Sequence, residues 1–103
     1  MFGKGMNMYK QAQQMQKKMQ QIQLDLEDLR VEGKSGGEMV VATVNGKKDL
    51  ISINIKNDVL NEDKEMVEDL VLSAVNQALK NAENISQEKM SAVTGGMKIP
   101  GLF

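Results

Sequence analysis

The stretch MVVATVNGKKDLISINIK, residues 39–56, decides the fold. Apolar and polar residues alternate on both sides of Asn45-Gly46, the strongest short hairpin signal, because both central residues of a type I′ turn need positive φ. The spacing predicts strands over 39–44 and 48–56 joined by a two-residue turn. Such a turn sets Val44 opposite Lys47 and Val40 opposite Ile51. One face then carries Val40, Ala42, Val44, Ile51, Ile53 and Ile55 and reads as core. The other carries Met39, Val41, Thr43, Leu50, Ser52 and Asn54, which is half apolar. A lone hairpin is marginal in water. The sheet is therefore expected to be completed by another chain, or by packing of its second face. Just upstream, Val31 and Glu32 are candidates for a short third strand.

Long helices are predicted on either side. Residues 6–30 hold no Gly or Pro and are rich in Gln, Lys, Met and Leu, good helix formers. Met8, Ala12, Met15, Met19, Ile22, Leu26 and Leu29 recur at alternating spacings of four and three, an unbroken heptad seam, with Leu24 off it. About 24 residues at 1.5 Å rise make a rod of roughly 36 Å, long enough to overhang a domain of this mass. Gly33 is read as the end of the helical region, and Ser35-Gly36-Gly37 as a connection.

The second helix is expected to start near Asn61–Asp63, with acidic residues in its first turn, and to run to about Val93. Met66, Val67, Leu70, Val71, Ala74, Val75, Ala78, Leu79, Ala82 and Ile85 form its broad apolar face. Beyond Ile85 the pattern thins, and this end is expected to project into water. Thr94-Gly95-Gly96 reads as a C-cap, and residues 1–5 and 95–103 as flexible ends. The predicted class is α+β in a single domain spanning 1–103: helix, a small antiparallel sheet of about three strands, helix.

Composition narrows function by exclusion. With no Cys and no His among 103 residues, thiol, imidazole, zinc, haem and iron–sulfur chemistry lose their usual ligands. Three aromatic residues, Phe2, Tyr9 and Phe103, leave little to line a pocket. No cofactor, metal site or small-molecule substrate is expected, and no catalytic residues. No apolar run is long enough to span a membrane, and the start lacks a signal-peptide core, so a cytoplasmic location is expected.

The formal net charge is −1, but the charge is segregated. Residues 1–24 carry +4 with no acid, 25–33 carry −3, 34–57 carry +2, 58–71 carry −5 and 72–103 carry +1. Such asymmetry can orient a protein at a polyanion. The blander readings stand beside it: lysines on a solvated face, glutamines as solubilising positions, a Met seam as packing. Gly33-Lys34-Ser35-Gly36-Gly37 lacks the spacing and strand-to-helix setting of a phosphate-binding loop. Glu68 and Asp69 point in different directions on a helix, which argues against a catalytic pair.

Several segments together resemble the YbaB/EbfC family of bacterial nucleoid-associated proteins. They are Met1-Phe2-Gly3-Lys4-Gly5, Lys10-Gln11-Ala12-Gln13-Gln14-Met15-Gln16, Lys18-Met19-Gln20, Val31-Glu32-Gly33, Gly36-Gly37 and Val44-Asn45-Gly46. The likeness is tightest at Asp63-Lys64-Glu65-Met66-Val67-Glu68-Asp69-Leu70-Val71. It continues through Asn76, Ala78, Glu88-Lys89-Met90, Gly96-Met97 and Pro100-Gly101. The resemblance implies two long helices flanking a small antiparallel sheet. It also implies a homodimer in which the sheets meet and the helices project as arms, and DNA binding of low sequence specificity without enzymatic chemistry. Roles in nucleoid organisation and gene regulation follow from it, as do recombination and replication proteins as partners. Two departures stand out. Many members carry Asp-Pro where this chain has Lys56-Asn57, and the second helix offers only Lys80 and Lys89 as cations toward DNA. Weak, salt-dependent affinity is therefore expected.

The candidate DNA contacts are Lys4, Lys10, Gln14, Lys17, Lys18, Gln21, Lys80 and Lys89. The candidate dimer interface is Met39, Val41, Leu50 and Ile53. The competing reading is an adaptor whose arms clasp a repair or replication protein, with DNA binding incidental.

Overall fold

A computed structural model describes residues 2–94, with side-chain surroundings for 8–92. The order is α1 (Phe2–Asp28), β1 (Val31–Ser35), β2 (Val40–Val44), β3 (Leu50–Ile55), a 3₁₀ turn (Asn57–Asn61) and α2 (Lys64–Thr94). The strands form one antiparallel meander, β1-β2-β3. The α+β architecture is as expected.

Local chemistry explains the boundaries. α1 starts four residues earlier than its predicted start at Met6 and stops two sooner than Arg30. Its end is set by Arg30, whose guanidinium Nη1 donates to the carbonyls of Glu27 (3.0 Å) and Leu29 (2.9 Å), which the last turn leaves unsatisfied. Asp63 caps α2 as its sequence position predicts: its Oδ1 accepts from the Met66 amide at 2.9 Å.

Gly33 does not end a helix; it lies inside β1. A Cβ there would run into the carbonyl oxygen of Ala74 and the amide nitrogen of Ala78. α2 approaches β1 this closely because Ala74, Ala78 and Ala82, four residues apart, form a flat buried stripe. The core joins them to Val31, Val40, Ala42, Val44 and Val59.

The two sheet edges differ. Along the outer edge of β1, the Lys34 amide donates to Oε1 of Gln77, and Nδ2 of Asn81 donates to the carbonyl of Glu32 at 3.0 Å. The Ser35 hydroxyl donates to the Leu70 carbonyl at 2.6 Å. α2 thus seals that edge with side chains. β3, paired with β2 on its inner side, forms the other edge, and no element of the described residues pairs with its outer side. α2 lies across β1 and β2, so β3 is left uncovered: Leu50, Ile51 and Ile53 are 50%, 47% and 39% exposed.

This corrects the hairpin reading. Asn45-Gly46 is not a two-residue turn; residues 45–49 all belong to the connection, and neither Asn45 nor Gly46 has positive φ, whereas Lys48 does (71°). Val40 faces Ile55 and Ala42 faces Ile53, a shift of four residues from the predicted pairing. An even shift preserves which face each residue occupies, so Ile53 and Ile55 stay on the side of Val40. A bulge beside Thr43/Val44 then leaves Ile51 unpaired and turns Leu50 to the face of Val44, opposite to its predicted side. Ile51 and Ile53 are not core.

The connection is organised by Asn45, which is 5% exposed. Its Oδ1 accepts from the amides of Lys47 and Asp49, both at 2.9 Å, and its Nδ2 donates to Oδ2 of Asp49 at 3.0 Å. Gly46 then meets the end of α1: its amide donates to the Leu26 carbonyl at 2.7 Å. Lys47 adds an ion pair to Glu27 at 2.7 Å.

The carboxyl end of α2 differs from expectation as well. It does not stand alone in water: Met90 is buried, and α2 packs beside α1. The helices carry the molecule well past its sheet. Its radius of gyration is 19.4 Å and its extents are 73 × 20 × 18 Å, whereas a compact 100-residue domain has a radius of about 13 Å. The Gly95-Gly96 cap and the tail lie outside the described residues.

Candidate nucleic-acid interface

Helical geometry sorts the α1 candidates. Lys10, Gln14, Lys17 and Gln21 follow one another at four, three and four residues, so they form a single polar stripe. At about 100° per residue this stripe stands well round the helix from the Met seam. All four side chains are exposed. Gln21 donates from Nε2 to Oδ1 of Asp25 at 3.0 Å, which fixes its amide along the helix. Lys18 is exposed too, but sits nearer the seam and lines a shallow concavity with Gln11, Gln14 and Met15. Among the described residues, no acid pairs with Lys10, Lys17 or Lys18. The side chain of Lys4 lies outside the described residues.

The α2 candidates are not brought together. Lys80 and Lys89 are nine positions apart, two and a half turns, so they stand on opposite sides of the helix. Lys80 is exposed and Lys89 half-buried. At most one of them can share a surface with the α1 stripe.

Two further cations sit where α1 meets the sheet. Lys47 and Lys48 line a cleft with Gln23, Leu26, Gly46, Glu83 and Ser86. Lys47 is committed to Glu27, whereas Lys48 is exposed and has no ion pair among the described residues. Nothing in its sequence surroundings marks Lys48 beyond its share of the +2 carried by residues 34–57. Only the five-residue connection, with positive φ at Lys48, brings it beside α1.

One ion pair shifts its own titration. Lys34 and Glu38 meet at 3.1 Å across the β1–β2 turn. The hydrogen bond from Lys34, then its charge, lowers the Glu38 carboxyl, and the same contacts raise the Lys34 ammonium. Glu38 is held there by a turn in which Gly36, Gly37 and Glu38 all take positive φ.

Among the described residues, no group of three or more Asp or Glu is placed to hold a metal ion, and no helix is long and apolar enough to cross a membrane. What stands out is an elongated helix with an uncompensated cationic stripe.

The model of the YbaB/EbfC DNA-binding family matches residues 2–97. The chain belongs to that family. Among YbaB/EbfC relatives, it is 55% identical over 98 residues to the nucleoid-associated protein TTE0040 of Caldanaerobacter subterraneus subsp. tengcongensis, covering 94% of this chain and 88% of that one. It is 57% identical over 102 residues to a nucleoid-associated protein of Clostridium perfringens, covering 98% and 91%. The crystal structure of the uncharacterized protein HP0035 from Helicobacter pylori superposes with a TM-score of 0.76 at 28% identity, covering 85% of this chain and 94% of that one. Lys56-Asn57 stands where β3 gives way to the 3₁₀ turn. Lys56 is extended (φ −68°, ψ 147°), as a residue before proline would be, and Asn57 opens the 3₁₀ turn, where proline is tolerated.

Proposed function

We propose that this chain is a nucleoid-associated protein that binds duplex DNA without enzymatic chemistry, as a homodimer whose α1 helices act as arms. The observation that carries the reading is the stripe Lys10–Gln14–Lys17–Gln21 on a helix reaching beyond the sheet. Its lysines would neutralise phosphates and its glutamines would bond backbone or groove, which positions a protein without reading sequence. Lys18 extends the stripe, and either Lys80 or Lys89 joins it from α2.

The dimer reading draws on the unequal edges. β3 offers unpaired backbone and exposed Leu50, Ile51 and Ile53, while β1 is sealed by Gln77 and Asn81. An open apolar edge of this kind favours strand addition by a second copy. Leu50 and Ile53, on the α2 side, would form the centre of the contact. Val41, half-buried on the reverse face, and Met39, half-buried against the core just before β2, would flank it. Such a particle would reside on the nucleoid and influence DNA conformation and gene expression.

The test is a duplex titration at 50 and 200 mM salt, with the mass of the free protein measured by light scattering. Binding at low salt that weakens steeply at high salt is expected. A folded dimer that fails to bind at 50 mM salt, yet retains a stoichiometric protein partner from nuclease-treated lysate, would establish the adaptor reading instead.

A further inference from the structure

The apolar seam of α1 is only half used by its own chain. Leu26 is buried, Ile22 and Met19 are half-buried, and then Met15 is 39% and Met8 71% exposed, with Ala12 between them also exposed. The lower half packs where α2 runs beside α1. The upper half continues the same 3.5-residue repeat without a described partner, and that repeat is matched by another helix.

The flanks of the seam indicate which helix. Tyr9 and Gln16 border it on one side, Gln11 and Lys18 on the other. Charged flanks select an oppositely charged partner; these carry one charge in four and select against none. Lys10 and Lys17, which would repel an identical helix, stand about 150° round from Met15. A second copy therefore meets the seam without a like-charge barrier, while the cationic stripe stays free for phosphates.

We propose that the upper α1 seam, Met8–Ala12–Met15–Met19, is a docking surface for the same seam on another dimer, so that arms join arm to arm and bring two DNA duplexes together. The bridging rests on the DNA-gripping dimer proposed above; the pairing itself needs only α1. The overlap is about three turns, too short to hold firmly alone. Its strength comes from copies placed side by side on DNA, where the local concentration is high.

The absence of cysteine makes the test direct, because one introduced thiol is unique. Met15→Cys places it on the seam, and Gln13→Cys on the opposite side of the same helix. Both variants are treated with a short bismaleimide, with and without duplex DNA. Met15→Cys is expected to cross-link at least tenfold more than Gln13→Cys, more so with DNA, into particles with the mass of four or more chains. Equal yields, or cross-linked pairs whose native mass stays at two chains, overturn the proposal. A second variant, Met8→Gln with Met15→Gln, polar but uncharged, is expected to lose duplex bridging while binding one duplex as the natural chain does; persistent bridging overturns it as well. A chain that scatters as a single subunit, or ignores duplex DNA, defeats the earlier reading. A DNA-binding dimer whose seam thiols do not join defeats only this one.

Discussion

Gly46 touches Leu26 so closely that no side chain fits between them. A Cβ at Gly46 would stand 2.7 Å from Leu26 Cδ2 and 2.9 Å from its carbonyl oxygen, the acceptor of the Gly46 amide. This contact joins the arm to the sheet, beside the Lys47–Glu27 pair. Gly46→Ala is expected to cost about 1–3 kcal/mol through overpacking. The shift appears in the urea midpoint, with the slope unchanged if the unfolded state is unaffected.

Asn45 holds the neighbouring connection. Asn45→Ala strips the acceptor from the amides of Lys47 and Asp49 and should cost about 1–3 kcal/mol. Asn45→Asp keeps the acceptor but sets a second carboxylate against Asp49, so it should also destabilise, less so below the pH at which carboxylates protonate. Thermal melts of the two variants at neutral and acid pH separate the effects.

Lys10 and Lys17 share one stripe, and each phosphate neutralised contributes roughly −0.9 to the slope of log affinity against log salt. Replacing both with Ala should flatten that slope by roughly 1.8 for each arm engaged, or roughly 3.6 when both arms of a dimer grip the duplex. The loss should be equal for unrelated duplex sequences. A slope identical to the natural chain's would remove both lysines from the interface.

Ile53 lies on the α2 face of the sheet but on β3, the strand that α2 does not cover, so Ile53→Lys should leave the fold standing and abolish the dimer. Circular dichroism with the spectrum retained, and scattering at the mass of a single chain, are the expected results. A charge on an open strand edge opposes pairing, and Ile53 is not among the side chains packed against the core.

Stability should be nearly flat from pH 6 to 9, because no His or Cys is present to titrate there. Glu38 has its carboxyl lowered by Lys34, so its contribution is present above the ordinary value of 4.5 and disappears as pH falls through the lowered folded value. Lys34 is raised, so its contribution is present below 10.5 and disappears as pH rises through the raised folded value. Both groups are solvent-exposed, so the effect is small. Glu38→Gln should lower the plateau slightly and narrow the acid-side change in melting temperature by the same amount.

The helices were legible because their signals are periodic over many residues: the heptad of α1 and the Ala-rich face of α2 belong to the sequence itself. The hairpin was misread at one residue. Asn45 carries a strong turn signature, but its side chain bonds to Lys47 and Asp49 and opens a longer connection, an outcome that depends on α1 lying against Gly46. Face assignment survived at Ile53 and Ile55 because the register error was even, and failed at Leu50 because a bulge is invisible to alternation. The exposure of Ile51 and Ile53 follows from where α2 crosses the sheet, a tertiary choice dictated by Gly33 and the alanine stripe. Of the site, the α1 stripe could be read from spacing, whereas Lys48 could not, since only the folded connection places it there.

The side-chain bonds that Gln77 and Asn81 make to β1 also bear on how far strand addition can go. A sheet with acceptors on both flanks can recruit molecules without end and run into fibrils. With one flank already spoken for, each molecule has a single place to receive another, and a reciprocal match consumes both places at once. Strand addition by that route would terminate of its own accord.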